Sequence, residues 1–385
     1  MNFGFYTINL LLWLLVASAL QAQQPADSVW IRSYTDTLAA PAMAGRGYVR
    51  NGLSQAARFI ETTLNGYGLK VVRQPFTHPV NVFNGPVQLS LNGQVLKPGH
   101  DFLVSAGSPA LKASGSLVQA DSVTWVNPAH KVAVEWVDKL TWSVSTTQDA
   151  YTVFNVRKTA LQAIPQHFEA RVAAQWIPRF ESENIMTTIP GTRLADSLVV
   201  FTAHYDHLGM MGPEALFAGA NDNAAGAAML LALAKYYRAH PAPYTIVFLF
   251  FAAEEAGLLG SRYFVDNALI TLKHIRFLIN LDLVGNGEEG ITVVNATEFK
   301  QEFEWLQQLN EEYKALPAVL PRGKAANSDH YWFTEKGVPS FFLYTMGPRK
   351  AYHDVEDIAE TVPHTKANAL TQLLKAFVAR LTNDQ

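Results

Sequence analysis

The 385-residue chain contains no cysteine at all. That absence removes disulfides, thiolate metal sites, cysteine nucleophiles and lipid attachment at Cys together, so a metal held by this chain must be held by imidazole and carboxylate. Charge of one sign is also missing: 30 Lys and Arg stand against 33 Asp and Glu, giving a net charge of −3, with no long basic block. A nucleic-acid surface or a polybasic membrane patch is therefore not expected. Long apolar runs are scarce as well. Residues 10–16 form an unbroken apolar run followed by Ala17, Ser18 and Ala19, which reads as an export signal over residues 1–19 with an A-x-A cleavage pattern. The run falls short of the ~20 apolar residues of a spanning helix. The expected product is periplasmic or secreted, with no membrane anchor after signal removal and no lipobox cysteine.

What the chain does have is core material. Hydrophobic residues make up 49% and charged residues 16%, enough for a large globular domain carrying an inserted second unit. In the stretch from 27 to about 76, Leu53, Ala56, Ala57, Ile60 and Leu64 recur at helix spacing before Gly66 and Gly68, and 70–76 then alternates like a strand. From 77 to 182 short apolar runs broken by Gly, Pro, Asn and Asp predict a β-rich insertion. From 183 onward strands and helices alternate. Strands are predicted at 198–203, 245–251, 277–281 and 340–344, and helices at 224–238, 258–267, 299–316 and 366–381. The fold class that follows is α/β: a mixed, largely parallel sheet with helices on both faces, residues 27–76 and 183–385 forming one catalytic domain.

In such sheets ligands bind beyond the carboxyl ends of the strands. His204 and Asp206 follow the first of these strands, Glu254 and Glu255 the second and Asp282 the third, while Tyr352, His353 and Asp357 come shortly after the last. Asp222 lies in the Gly219-Ala220-Asn221-Asp222-Asn223 loop that opens the first helix. Apolar strands that end repeatedly in His or carboxylate are hard to explain by packing, because each such group is costly to bury unpaired. Imidazole and carboxylate donors suit zinc and, less selectively, cobalt or manganese. Two His and three acids can hold two ions when one carboxylate bridges them, and Asp222 at the helix start is the bridging candidate.

His204-Tyr205-Asp206-His207-Leu208-Gly209, Gly219 to Gly226, Glu254-Glu255 with Gly257-Leu258-Leu259-Gly260-Ser261, Asn280-Leu281-Asp282, Ser328-Asp329-His330 and Tyr352-His353 together resemble the M28 family of dizinc peptidases. The resemblance covers residues 184–362, and Gly45-Arg46 is similar to the start of such enzymes. It implies two Zn2+ ions per chain, His204 and Asp282 binding one, Glu255 and His353 the other, with Asp222 between them. It further implies Glu254 as general base and Tyr352 as the group that stabilises the oxyanion. The 77–182 segment stands where some members insert a protease-associated domain. Departures occur at Ala225, where many members have Ser, and at Asp354 and Ile358, where Thr or Ser is usual; none removes a ligand. Asp206 and Asp357 are expected to orient the imidazoles of His204 and His353, and His207 to shape its loop.

The implied activity is that of a secreted aminopeptidase, in which a two-zinc-activated water hydrolyses N-terminal residues from peptides or proteins with free N-termini. Alternatives are a glutaminyl cyclase on the same fold and a catalytically silent binding module.

Overall fold

The computed structural model describes residues 27–382. The export signal expected at residues 1–19 lies outside the described residues. Among the described residues, no helix is long and apolar enough to cross a membrane.

The centre of the molecule is a mixed sheet whose middle strands are Tyr244–Phe251, Leu194–His204, Ile275–Leu281 and Ser340–Met346, all parallel to one another. Alternation along these strands feeds two cores. Val199, Phe201, Phe248 and Ile279 pack with the helices Asp27–Leu38, Gly52–Gly66, Ala225–Ala239 and Lys300–Tyr313 on one face. Val200, Val247, Leu249 and Leu278 pack with Leu259–Asp266 and His330–Glu335 on the other. Side chains of successive strand residues point to opposite faces, so a strand buried on both sides must be apolar throughout, as Tyr244–Phe251 is apart from Thr245.

The chain runs from Leu194–His204 to the strand on one side of it, then back to the strand on its other side. That reversal makes a topological switch point at the end of Leu194–His204, where an open α/β sheet leaves a crevice. His204 is the last residue of that strand.

Residues between the catalytic segments leave the central sheet along two long strands, Val71–Leu91 and His167–Ile189, paired antiparallel from Val71 with Thr187 to Leu91 with Phe168. Thr77 pairs with Glu181 and Phe76 with Ser182, so the positions expected to bound the insertion fall within continuous strands and not in a linker. Beyond them a five-stranded sheet is built from Phe102–Val104, Thr152–Arg157, Val132–Val137, Thr124–Asn127 and Val118–Gln119. Its core of Phe102, Val132, Val134 and Phe154 continues into Phe83, Trp142 and Phe217, so the two sheets share apolar contacts.

Candidate metal centre

The carboxyl ends of the four parallel strands point the same way and deliver their polar residues to one crevice. Two loops complete it. The first is the 219–224 turn before Ala225–Ala239, and its shape rests on Arg46. That guanidinium, fully buried, donates to the carbonyls of Leu38, Tyr205, Ala218, Gly219 and Asp222. Burial pulls its pKa down to about 10, against the opposing pull of Asp357, Asp222 and Asp206. Gly219 sits at φ 60, and a Cβ there would lie 2.2 Å from the Asp222 carbonyl oxygen and 2.3 Å from the His207 ring, so only glycine lets the turn close. Asn223 ties the turn to the sheet by donating to the carbonyl of Leu281 at 2.9 Å. At the end of Tyr244–Phe251, Ala253 takes φ 57, a left-handed corner just before Glu254 and Glu255.

The result is a cluster in which Asp222 faces two histidines with its two oxygens: Oδ1 lies 3.4 Å from His204 Nε2, and Oδ2 lies 3.2 Å from His353 Nε2. Asp282 Oδ1 is 3.3 Å from His204 Nε2, and Glu255 Oε2 is 3.1 Å from His353 Nε2. Glu254 Oε2 stands further off, 4.0 Å from His204 Nε2. A cation with donors at 2.0–2.1 Å in tetrahedral array separates neighbouring donors by about 3.3 Å. The four shorter separations match that spacing, and the Glu254 distance exceeds it. Donor atoms of His204, Asp222 and Glu255, and likewise of His204, Glu254 and Asp282, lie within 4.8 Å of one another.

The chemistry of the donors fits a cation independently. His204 Nε2 and Asp282 Oδ1 are buried and have no hydrogen-bond partner, although each is aimed at the other. Such groups are costly to leave unpaired, and an ion between them satisfies both. Charge argues the same way. Burial, reinforced by Glu255, Asp282 and Asp329, pushes the Glu254 carboxyl well up. Burial and then the Asp222 charge also raise Asp282, against the pull of His204. Burial would lower His353, but its contacts with Asp222 and Glu255 outweigh it and raise the ring to about 11. The carboxylates thus call for positive charge that imidazolium supplies when no metal is bound.

Supporting contacts fix the ligands. Thr202 donates to Asn280 at 2.6 Å, Asn280 to Ser328 at 2.8 Å and Ser328 to Asp282 Oδ2 at 3.0 Å, which leaves Oδ1 for the crevice. Asp206 receives the amide hydrogens of Glu254 and Glu255 and the Tyr48 hydroxyl. Its carboxylate lies 3.7 Å from His204 Nδ1, which meets its backbone carbonyl at 3.2 Å instead. Asp357 does not reach His353. It accepts the amides of Asn221 and Asp222 at 2.8 and 3.0 Å, because its chain direction carries it under the 219–224 turn, and His353 Nδ1 is met by the carbonyl of Trp142 at 3.1 Å.

Of the remaining members of the site, Tyr352 and the Ser328-Asp329-His330 segment are named in the sequence analysis, and only the contact of His207 with Glu255 escaped it. His207 does more than shape its loop: fully buried, it places Nδ1 2.7 Å from Glu255 Oε1. Asp329, fully buried, is raised to about 7 by burial and by the nearby Asp206 and Asp282, with His204 and Ser261 opposing. Its place in Ser328-Asp329-His330 was the available signal. Tyr352 is 44% exposed and stacks on His353 with ring centroids 4.0 Å apart. Burial, with Asp222 and Glu255, pushes its phenol up, so it is a hydrogen-bond donor at neutral pH. The cluster lines a cavity of about 270 Å3 together with Arg322, Asn327, Phe342, Tyr344 and Tyr352.

A model of peptidase family M28 matches residues 184–378. The chain belongs to peptidase family M28. Within and around that family, Aminopeptidase YwaD of Bacillus subtilis (strain 168) is 27% identical over 335 residues, 83% of this chain and 72% of that protein. A probable leucine aminopeptidase of Trichophyton verrucosum is 28% identical over 214 residues, 53% of this chain and 58% of that protein. Among solved structures, BSAP, a zinc aminopeptidase from Bacillus subtilis, aligns with a TM-score of 0.70 at 21% identity, over 93% of this chain and 95% of that one. An Acidobacteriales bacterium glutaminyl cyclase aligns with a TM-score of 0.59 at 18% identity, over 94% and 98%. Both share the fold, and the M28 match lies on the segment that carries His204, Asp222, Glu254, Glu255, Asp282 and His353. As a member of M28 the protein is a metallopeptidase.

Proposed function

We propose that this M28 peptidase is a two-zinc aminopeptidase, exported by the 1–19 signal and acting on peptides with free N-termini. The observation that carries the reading is the Asp222 carboxylate, whose two oxygens face two different histidines, each paired with a further acid. His204, Asp222 and Asp282 would hold one ion, and His353, Asp222 and Glu255 the other. When bound, the pair of ions supplies Lewis acidity at the scissile carbonyl and lowers the pKa of water. Glu254, left outside both donor sets, takes the proton of the attacking water on its carboxylate and returns it to the leaving amine nitrogen. The Tyr352 hydroxyl donates to the carbonyl oxygen as negative charge grows there. His207 and the Trp142 carbonyl keep Glu255 and His353 in their orientations.

The order of removal, from the amino end, rests on the relatives named aminopeptidase. A glutaminyl cyclase is the second reading, supported by the shared fold, and two complete donor sets favour the hydrolase over it. The test is a digest of matched peptides with free, acetylated and N-terminal Gln ends by zinc-loaded protein, read by mass spectrometry. Stepwise loss from free ends alone is the expected result. Loss of ammonia from the Gln peptides without cleavage would replace the proposal with the cyclase.

A further inference from the structure

The β-rich insertion makes its most direct contact with the metal centre through one residue. Trp142 donates its amide hydrogen to the carbonyl of His353 at 2.9 Å, and its own carbonyl lies 3.1 Å from His353 Nδ1. A carbonyl can only accept, so Nδ1 carries the hydrogen, and when the ring is neutral its lone pair is left on Nε2, which points at Asp222 and Glu255. His353 itself stands at φ 53, a conformation that a non-glycine residue keeps only where its surroundings impose it. The reciprocal pair with Trp142 is one of the contacts that hold the residue there.

Trp142 is in turn held by the insertion. Its indole Nε1 donates to the carbonyl of Val104 in the insertion at 2.7 Å, while its ring stacks on Phe217 of the catalytic segment with centroids 4.7 Å apart. The loop after His353 is gripped on the same side, with Lys139 Nζ 3.4 Å from Asp354 and Val355 packed against the apolar core of the insertion. Among the described residues, no comparable contact joins the insertion to His204 or Asp282, which are fixed from within the catalytic segment by Asp206 and Ser328.

We infer that the insertion is a clamp for one half of the metal centre, with Trp142 as the positioning residue that presents His353 Nε2 to the ion shared by Asp222 and Glu255. This rests on the two-zinc reading above. The clamp selects the tautomer and the ring direction of one ligand, while the other donor set is assembled without it.

The experiment is zinc titration of metal-stripped full-length protein against a competing chelator, for wild type, Trp142→Ala and Trp142→Phe. Trp142→Ala keeps the backbone carbonyl that meets His353 but removes the indole bond to Val104 and the stack on Phe217 that hold that carbonyl in place; losing the orientation of a ligating imidazole weakens metal affinity by about 10- to 100-fold. Trp142→Ala is expected to weaken one of two ions by that factor and leave the other unchanged. Trp142→Phe, which keeps the stack on Phe217, should fall closer to wild type. Two unchanged affinities in Trp142→Ala would overturn the clamp, and so would equal weakening of both ions in a variant whose circular dichroism matches wild type. Should the alanine variant fail to fold, hydrogen exchange on wild type decides the matter. Zinc should slow exchange of the Trp142 amide together with the 352–357 loop, and an indifferent Trp142 amide would sink the proposal. A wild type that takes up fewer than two ions would count against the two-zinc reading, and the clamp would then stand or fall on the exchange at Trp142.

Discussion

The carboxylate of Asp357 accepts the amide hydrogen of Asp222 at 3.0 Å, so one buried acid sets the backbone from which another reaches both histidines. Asn221 makes the companion bond to the other oxygen at 2.8 Å. Two amides of one turn are thereby fixed by a residue 135 positions away. Asp357→Ala should free the turn and weaken zinc binding about 10- to 100-fold, with both ions affected because Asp222 faces both donor sets. Metal content after dialysis against a chelator checks this, and retention of two ions at wild-type affinity would show that the turn holds without Asp357.

Glu254 is the acid that stands outside the tetrahedral spacing, 4.0 Å from His204 Nε2. Glu254→Gln should therefore keep its metal and lose turnover by on the order of 10²–10⁴. Zinc stoichiometry and kcat measured on the same sample separate this from a ligand role, in which metal would fall together with rate.

Tyr352 presents a protonated phenol at the mouth of the cavity while its ring lies on His353. Tyr352→Phe keeps the ring and removes the donor. The expected outcome is lower kcat with little change in KM or in bound metal, since a bond to the developing oxyanion strengthens only as charge grows. An unchanged kcat would leave the hydroxyl a feature of the rim alone.

Arg46 donates to five carbonyls from a fully buried position. Arg46→Met would leave those oxygens short of partners in a place water does not reach, and should cost at least about 3 kcal/mol of stability. Urea unfolding of the metal-free protein is the measurement, because it keeps the loss of fold apart from the loss of ligand.

His364 is buried with neither ring nitrogen bonded. Burial first, and Arg32 second, lower its pKa from 6.5 to about 4. The unfolded chain binds the proton more readily than the folded one between these values, so stability rises with pH across that window and is lost as pH falls through it. The full effect is on the order of 3 kcal/mol. His364 occupies φ 53, which Asn tolerates better than most residues. His364→Asn should flatten the dependence of stability on pH between about 4 and 6.5, as followed by unfolding midpoints.

Unbroken apolar runs made the four central strands legible, and their shared direction followed from the helical segments between them. His204, Glu254, Glu255 and Asp282 could be found because a buried apolar strand ending in an ionisable group demands an explanation from the chain itself. The three-residue strands Gly209–Met211, Ala215–Phe217 and Val319–Pro321 left no such mark, since three residues carry no period.

The sequence by itself determined that any metal must sit on imidazole and carboxylate, that the donors lie at strand ends, and that they belong to the M28 pattern. These are properties of residue type and spacing, and they survive without coordinates. Only the tertiary structure decided which groups hold the donors still. Asp357 serves the Asp222 turn, His207 bonds Glu255, Arg46 gathers five carbonyls and Trp142 answers His353 across 211 residues. Apart from His207 with Glu255, which pairs two side chains, each of these partnerships has a backbone amide or carbonyl at one end, a group every residue possesses, so the partner's identity does not announce it; they exist once the fold has brought the two segments together.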